Sequence, residues 1–236
     1  MDILRHAGGG FAILHDEMLD RGTTGTGPVA QADADLLRRL RRRDDAGRET
    51  AVRVALLEDL CADLVADPAA PGGGHLQFDL KNRAAELTAA DLAAFVRAVA
   101  PIAGRMVLSG GDARAVGRLA EALPGLATGH DPCLAAALDT LRESRDSKGS
   151  APVPWPMPER ARVIYLDRAL VFFAEDCGFD LIAGFQAEGR VVDVWTLPGA
   201  QGESLAQLHR LMALGADHVT ADDPLGLWTA CRGAKP

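Results

Sequence analysis

The sequence predicts an α/β fold, a mostly parallel sheet with helices set between its strands. Three observations carry this. Short apolar or alternating runs recur at residues 3–4, 11–14, 75–81, 106–109, 126–129, 163–166, 191–197 and 216–221, the patterns of buried and half-buried strands. Stretches with apolar residues at helical spacing stand between many of them, as in residues 88–99 and 112–123. Gly- and Pro-rich punctuation separates the two kinds. With the first pair of runs counted as one hairpin, about seven strand positions suit a TIM (β/α)8-type barrel, which normally has eight.

The chain opens on a strand, a glycine turn and a returning strand. Ile3 and Leu4 start an apolar run, Gly8-Gly9-Gly10 reverses it, and residues 11–14 run back. The returning strand delivers His15 and Asp16 to its far end, and a tight hairpin can bring Asp2 near them. A carboxylate and an imidazole converging on one strand end suit metal-assisted acid/base chemistry. On residue types alone, ordinary strand-start and loop residues are the stronger reading.

Residues 33–43 read as a helix whose Arg38, Arg39, Arg41, Arg42 and Arg43 form a solvated C-terminal end, where cations are favourable. Nucleic-acid contact is a distant second reading. Residues 52–65 read as an amphipathic helix, with Leu56, Leu57, Leu60 and Leu64 at helical spacing. Asp67-Pro68 and Gly72-Gly73-Gly74 end it.

Residues 75–81, HLQFDLK, alternate cleanly. Leu76, Phe78 and Leu80 share one face; His75, Gln77, Asp79 and Lys81 share the other. An edge strand facing water gives this pattern, and so does a barrel strand whose polar face points at an active site. Barrel enzymes gather functional groups at the C-terminal strand ends, where Asp79 and Lys81 lie. Farther on, Thr88 and Asp91 form a capping pair for a helix over 88–99, and Asp112 caps one over 112–123. A helix over 134–142 precedes an irregular Pro-rich loop at 146–159. A loop within one domain is the favoured reading over a domain linker or a partner-binding segment, because strand–helix alternation resumes after it. Residues 172–186 read as irregular or partly helical. Residues 191–197, VVDVWTL, form a strand with Val191, Asp193 and Trp195 on one face, and residues 204–214 a helix opened by a Ser204–Gln207 capping box.

The totals bound the function. A chain of 236 residues is enough for one large domain or two small ones, and 48% hydrophobic and 25% charged content suits a soluble protein with a substantial core. A formal charge of −8 argues against a general nucleic-acid binder. Cys61, Cys133, Cys177 and Cys231 form no Cys-x-x-Cys motif and suit a reducing compartment. No apolar run approaches the ~20 residues of a membrane span. No signal peptide stands at Met1, so the expected location is cytoplasmic, with a leader upstream of Met1 left open.

The string from Asp2 to Gly27 as a whole is more specific than its parts. Asp2, His15-Asp16, Leu19-Asp20-Arg21 and Thr23-Thr24-Gly25-Thr26-Gly27 fall at the spacings of the core signature of the glycerophosphodiester phosphodiesterase family, which the chain resembles. The resemblance continues through Asp79-Leu80-Lys81, where the family has Glu-x-Lys, through Trp195-Thr196, and into Asp222 and Pro224 near the end. It departs where Asp79 replaces a Glu and where Gly110 and Gly111 replace a Ser and a Phe. The family's His-Arg-Gly strand, its first helix and the Glu of its Glu-x-Asp would all lie upstream of Met1. The expectation is therefore a barrel lacking its first βα unit, through a mis-set start or a real loss, with poor stability or self-association of the chain as written.

What the resemblance implies is a phosphoric diester hydrolase releasing glycerol 3-phosphate and an alcohol from a small glycerophosphodiester. It implies a divalent metal ion, Ca2+ or Mg2+, held by Asp2 and Asp79 with a third group. His15 would be the general acid, Lys81 would face the phosphate, and Trp195 would lie against the glycerol part. A core or rim Trp is an equal reading of Trp195. The rival function is a catalytically impaired barrel that binds a phosphodiester or a protein partner. A third is a related enzyme acting on a phosphoinositide or sphingolipid.

Overall fold

The structure, a computed structural model, describes residues 1–66, 75–132 and 158–233. The expected helix over 134–142, the Pro-rich loop up to residue 157 and the helix stop at 67–74 lie outside the described residues. The chain forms two compact units, Met1–Thr128 and Gly129–Pro236.

The first unit opens as expected. Strand β1 (Asp2–Arg5) turns back into β2 (Phe11–Ala12), pairing antiparallel with Leu4 opposite Ala12. The turn needs its glycines: Gly8, Gly9 and Gly10 have φ of 88, 87 and 135°, a region that side chains disfavour. A Cβ at Gly10 would also stand 2.7 Å from Nε2 of buried His6.

The arginine-rich stretch departs from the expectation. Helix Ala34–Arg39, capped by the Asp33 side chain, ends at Leu40, whose backbone is extended. Residues Arg41–Arg43 form β3 instead of a helix end and pair antiparallel with β4 (Glu49–Arg53). The Asp44 carboxylate closes this hairpin by accepting from the backbone N–H groups of Ala46 and Arg48. Because Val52 and Arg53 lie in β4, the next helix begins at Leu57 rather than at 52 and runs to Ala66.

Strand β5 (Leu76–Leu80) pairs parallel with β1, setting Asp2 beside Asp79. On its other side it pairs parallel with β6 (Met106–Gly110), setting Ser109 beside Asp79. Strand β7 (Ala127–His130) pairs parallel with β6. Helix Ala89–Val99 carries the expected Thr88–Asp91 capping box, and Asp112 caps helix Ala113–Ala122. The core of this unit joins Ile3, Phe11, Phe78, Leu80, Phe95 and Leu108. Phe11 meets Phe95 edge-on at 5.9 Å. Burying each such side chain contributes roughly 1.5–3 kcal/mol.

The second unit is a parallel run of β8 (Ala161–Asp167), β9 (Val191–Leu197) and β10 (His218–Ala221), with Asp193 flanked by Tyr165 and His218. The region expected to be irregular holds two helices, Arg168–Asp176 and Leu181–Ala187. Asp167 and Asp180 cap them through their side chains, a signal present in the sequence. Helix Ser204–Ala213 lacks the expected capping box; Glu203 precedes it without a side-chain cap. A last helix, Pro224–Gly233, was not foreseen, although Pro is at home at a first helical position. Strands and helices alternate through both units, as the α/β reading requires.

Candidate active site

Two clusters of functional side chains lie in the first unit. One is carried by strands. Parallel pairing of β1 with β5 makes Asp2 and Asp79 neighbours, and the period of two puts Lys81 on the face of Asp79. The Lys81 ammonium bridges both carboxylates, 2.9 Å from Asp2 Oδ1 and 2.6 Å from Asp79 Oδ2. Ser109 Oγ donates to the remaining oxygen, Asp79 Oδ1, at 3.0 Å. Burial pulls the Lys81 amine down, but hydrogen bonds and charge from Asp79 and Asp2 outweigh it and hold the ammonium above its ordinary value. The three side chains keep 28–33% of their surface open, so a ligand can reach them. A register slip of one residue would turn Asp79 and Lys81 to the other face.

The other cluster is carried by a loop. His15 Nδ1 lies 2.8 Å from Asp16 Oδ1, and the Arg21 guanidinium donates to both oxygens of Asp16 at 2.5 Å. Arg21 first, then His15, holds the Asp16 carboxyl well below the usual carboxylate range. An ionised carboxylate only accepts, so Nδ1 carries the proton and Nε2 is the nitrogen left for other work. The His15 side chain is 64% exposed. The loop behind it is well tied. Thr23, buried, donates its hydroxyl to the Leu19 carbonyl at 2.7 Å, and the Gly27 N–H donates to Asp20 Oδ2 at 3.0 Å. A Cβ at Gly25 would stand 2.5 Å from Leu40 Cδ1, which explains a glycine inside the Thr-rich run.

Of the residues singled out from sequence, Asp2, Asp79 and Lys81 are in contact with one another. His15 has Asp16 as its partner. Trp195 belongs to the second unit, in β9. Its indole Nε1 is buried without a hydrogen-bond partner among the described residues. Two positions before it, Asp193 is 6% exposed and accepts from Thr220 Oγ1 at 2.9 Å. Burial pushes the Asp193 carboxyl up, with Thr220 only partly offsetting this. Sequence reasoning passed over Ser109, Asp16, Arg21 and Asp193 as site residues. Asp16 and Arg21 stood inside the quoted motif, and Asp193 stood out as a carboxylate in an apolar strand. Ser109 stood where the family's strand also has a Ser, but its part could not be read because it depends on the strand beside it.

Whether these residues suit a divalent cation can be tested on the donors themselves. Asp2 and Asp79 offer hard carboxylate oxygens side by side, and the Lys81 ammonium between them shows that the pair holds positive charge. No group of three or more His, Cys, Asp or Glu side chains able to hold a metal occurs among the described residues. Two carboxylates still fit one common arrangement, in which water and substrate phosphate oxygens complete the shell of Mg2+.

Comparison with known proteins gives a consistent result. The model of the glycerophosphoryl diester phosphodiesterase family matches residues 2–225. No curated protein matches the chain. Among solved structures, a glycerophosphodiester phosphodiesterase from Agrobacterium tumefaciens is 20% identical with a TM-score of 0.68, over 99% of this chain and 85% of that one. A phosphodiesterase from Oleispira antarctica, in complex with the product sn-glycerol-3-phosphate, is 18% identical with a TM-score of 0.64, over 98% of this chain and 83% of that one. A glycerophosphodiester phosphodiesterase from Thermotoga maritima is 16% identical with a TM-score of 0.63, over 97% and 82%. The fold class is thus α/β of the TIM (β/α)8-barrel type, as the alternation of elements predicted.

Proposed function

The chain belongs to the glycerophosphoryl diester phosphodiesterase family, and from that premise we propose that it hydrolyses glycerophosphodiesters to glycerol 3-phosphate and an alcohol. It is a phosphoric diester hydrolase of that family's kind, and the family is generally dependent on a divalent metal. The observation that carries the reading is the bridging of Asp2 and Asp79 by Lys81, which gathers two metal-type ligands and a phosphate-type cation at one place. The product in the Oleispira structure supports the choice of glycerol 3-phosphate.

Asp2 and Asp79 would hold the cation, Ca2+ or Mg2+, whose contribution when bound is to polarise the phosphoryl oxygens. Lys81 adds positive charge against the phosphate. His15 gives the proton at Nε2 to the alcohol oxygen as its bond to phosphorus breaks. Asp16, held ionised by Arg21, keeps Nδ1 protonated and the ring in one orientation. A water oxygen bonds to phosphorus and stays there as hydroxyl, and that water's other proton restores Nε2 of His15. Trp195 would pack on the glycerol part, as the resemblance implies. We place the enzyme in the cytoplasm, a reading supported by free thiols at Cys61, Cys177 and Cys231. No described helix is long and apolar enough to cross a membrane.

The test is the leaving group. His15→Ala should lose ~10²–10⁴ in kcat for a diester with a poor alcohol leaving group, the range for one positioned acid. For a nitrophenyl diester, whose leaving group departs without a proton, the loss should shrink. A ratio of the two losses near one removes His15 from the acid role.

A further inference from the structure

The strand-borne cluster has a property that its individual roles do not explain. Neighbouring strands lie ~4.8 Å apart, so parallel pairing of β1 with β5 sets two carboxylates side by side, and like charges so placed repel. The Lys81 ammonium relieves this by binding one oxygen of each, Asp2 Oδ1 and Asp79 Oδ2. Ser109 Oγ donates to the other oxygen of Asp79, Oδ1, at 3.0 Å, so both Asp79 oxygens already accept one hydrogen bond each. A cation joining Asp79 to Asp2 would lie between the same two carboxylates that Lys81 bridges. At coordination distances of about 2.0–2.6 Å, a divalent ion held by these carboxylates would stand close to the ammonium, and two positive charges so close repel strongly.

We propose that Lys81 is a built-in stand-in for the divalent cation: it holds Asp2 and Asp79 together in the cation's absence and competes with it for the same pair. This rests on the reading of Asp2 and Asp79 as metal ligands. Entry of the cation expels the ammonium, and the flexible four-carbon stem frees it to meet the substrate phosphate. The chain thereby couples metal loading to arming of its phosphate-binding lysine. A lysine that merely supported the ligands would behave in the opposite way, since loss of an outer partner typically costs ~10–100-fold in metal affinity.

The experiment is calorimetric titration of CaCl2 and MgCl2 into the metal-free wild type, Lys81→Met, Lys81→Arg and Asp79→Asn at one pH. Lys81→Met should bind about tenfold tighter than wild type or better, as expected for removal of a close like charge. Lys81→Arg, which keeps the charge, should not gain. Binding by Lys81→Met that is equal to or weaker than wild type overturns the inference while leaving the metal reading intact, provided Asp79→Asn abolishes binding. Absence of binding in every protein, or undiminished binding in Asp79→Asn, overturns the metal reading and this inference with it. A second measurement needs no mutation, in case Lys81→Met does not fold. The NMR signals of the Lys81 Cε and Nζ groups in wild type should move on metal saturation; signals that stay still while metal binds overturn the displacement.

Discussion

In β5, Asp79 stands two residues before Lys81; in β9, Asp193 stands two residues before Trp195, again on one face. Both strands are parallel on either side. Their carboxylates nevertheless meet different fates. Asp79 faces an ammonium at 2.6 Å and a serine hydroxyl, and its side chain keeps 31% of its surface. Asp193 is buried, and its ionised form is answered by Thr220 and more distantly by His218. The residue two places on decides much of this: a lysine can return to neutralise its neighbour, whereas an indole cannot. Sequence position on a strand therefore says which face a carboxylate occupies, and cross-strand partners say what it can do there.

The strongest way to break the comparison is to remove each carboxylate in turn. Asp79→Ala should cost about 10²–10³ in kcat, the scale of one lost electrostatic contact to the transition state. The loss should be equal for alkyl and nitrophenyl leaving groups, because the phosphoryl group is affected whatever departs. Asp193→Ala should change the rate far less, since Asp193 is buried and its partner is the Thr220 hydroxyl rather than a phosphate-type cation. Steady-state kinetics on both diesters check this; a leaving-group-dependent loss in Asp79→Ala would move Asp79 out of phosphoryl stabilisation.

The unequal fates also explain how much was legible. HLQFDLK displayed its faces through alternation, and the His15-Asp16 to Gly27 string displayed its loop through local spacing, so both could be read before any pairing was known. The bridge from Lys81 to Asp2 could not, because it depends on β1 lying beside β5 in one register across more than seventy intervening residues. Local conflicts account for the misplaced elements. Val52 fitted a helical period with Leu56, yet the Asp44 turn claimed it for a hairpin. Phe172 to Gln186 looked irregular because Gly178 interrupts it, although Asp167 and Asp180 announced two helix starts. Ser204 resembled a cap but sits inside the first turn.

A smaller effect tests the buried side of the comparison through pH. Burial raises the Asp193 carboxyl above its ordinary value of about 3.9, so the folded state holds that proton more tightly than the unfolded one. The associated stability is fully present below the ordinary value and is lost as pH rises through the raised one. Asp193→Asn cannot ionise and keeps a partner for Thr220. Its stability relative to wild type should therefore improve from pH 3.5 to pH 7. Denaturant midpoints across that range measure it, and a difference that stays flat or runs the other way refutes the buried-acid description.

The finest discrimination deletes one hydroxyl beside each carboxylate. Ser109→Ala removes the donor to Asp79 Oδ1, and Thr220→Val removes the donor to Asp193 Oδ1 while nearly preserving shape. A hydrogen bond contributes about 0.5–1.5 kcal/mol net, but an acceptor left buried and unsatisfied costs about 1–3. Asp79 retains Lys81 and access to water after Ser109→Ala, so that loss should stay near 0.5–1 kcal/mol on this scale. Among the described residues, Asp193 retains the Thr220 backbone N–H and the more distant charge of His218. Water cannot easily replace the lost hydroxyl there, so Thr220→Val should cost about 1–2 kcal/mol. The order of the two losses carries the test, since solvation of the remaining carboxylate is what separates them. Equal denaturant midpoints for the two variants would mean that water reaches Asp193 as readily as Asp79, and the contrast between the strands would then lie in the ammonium alone.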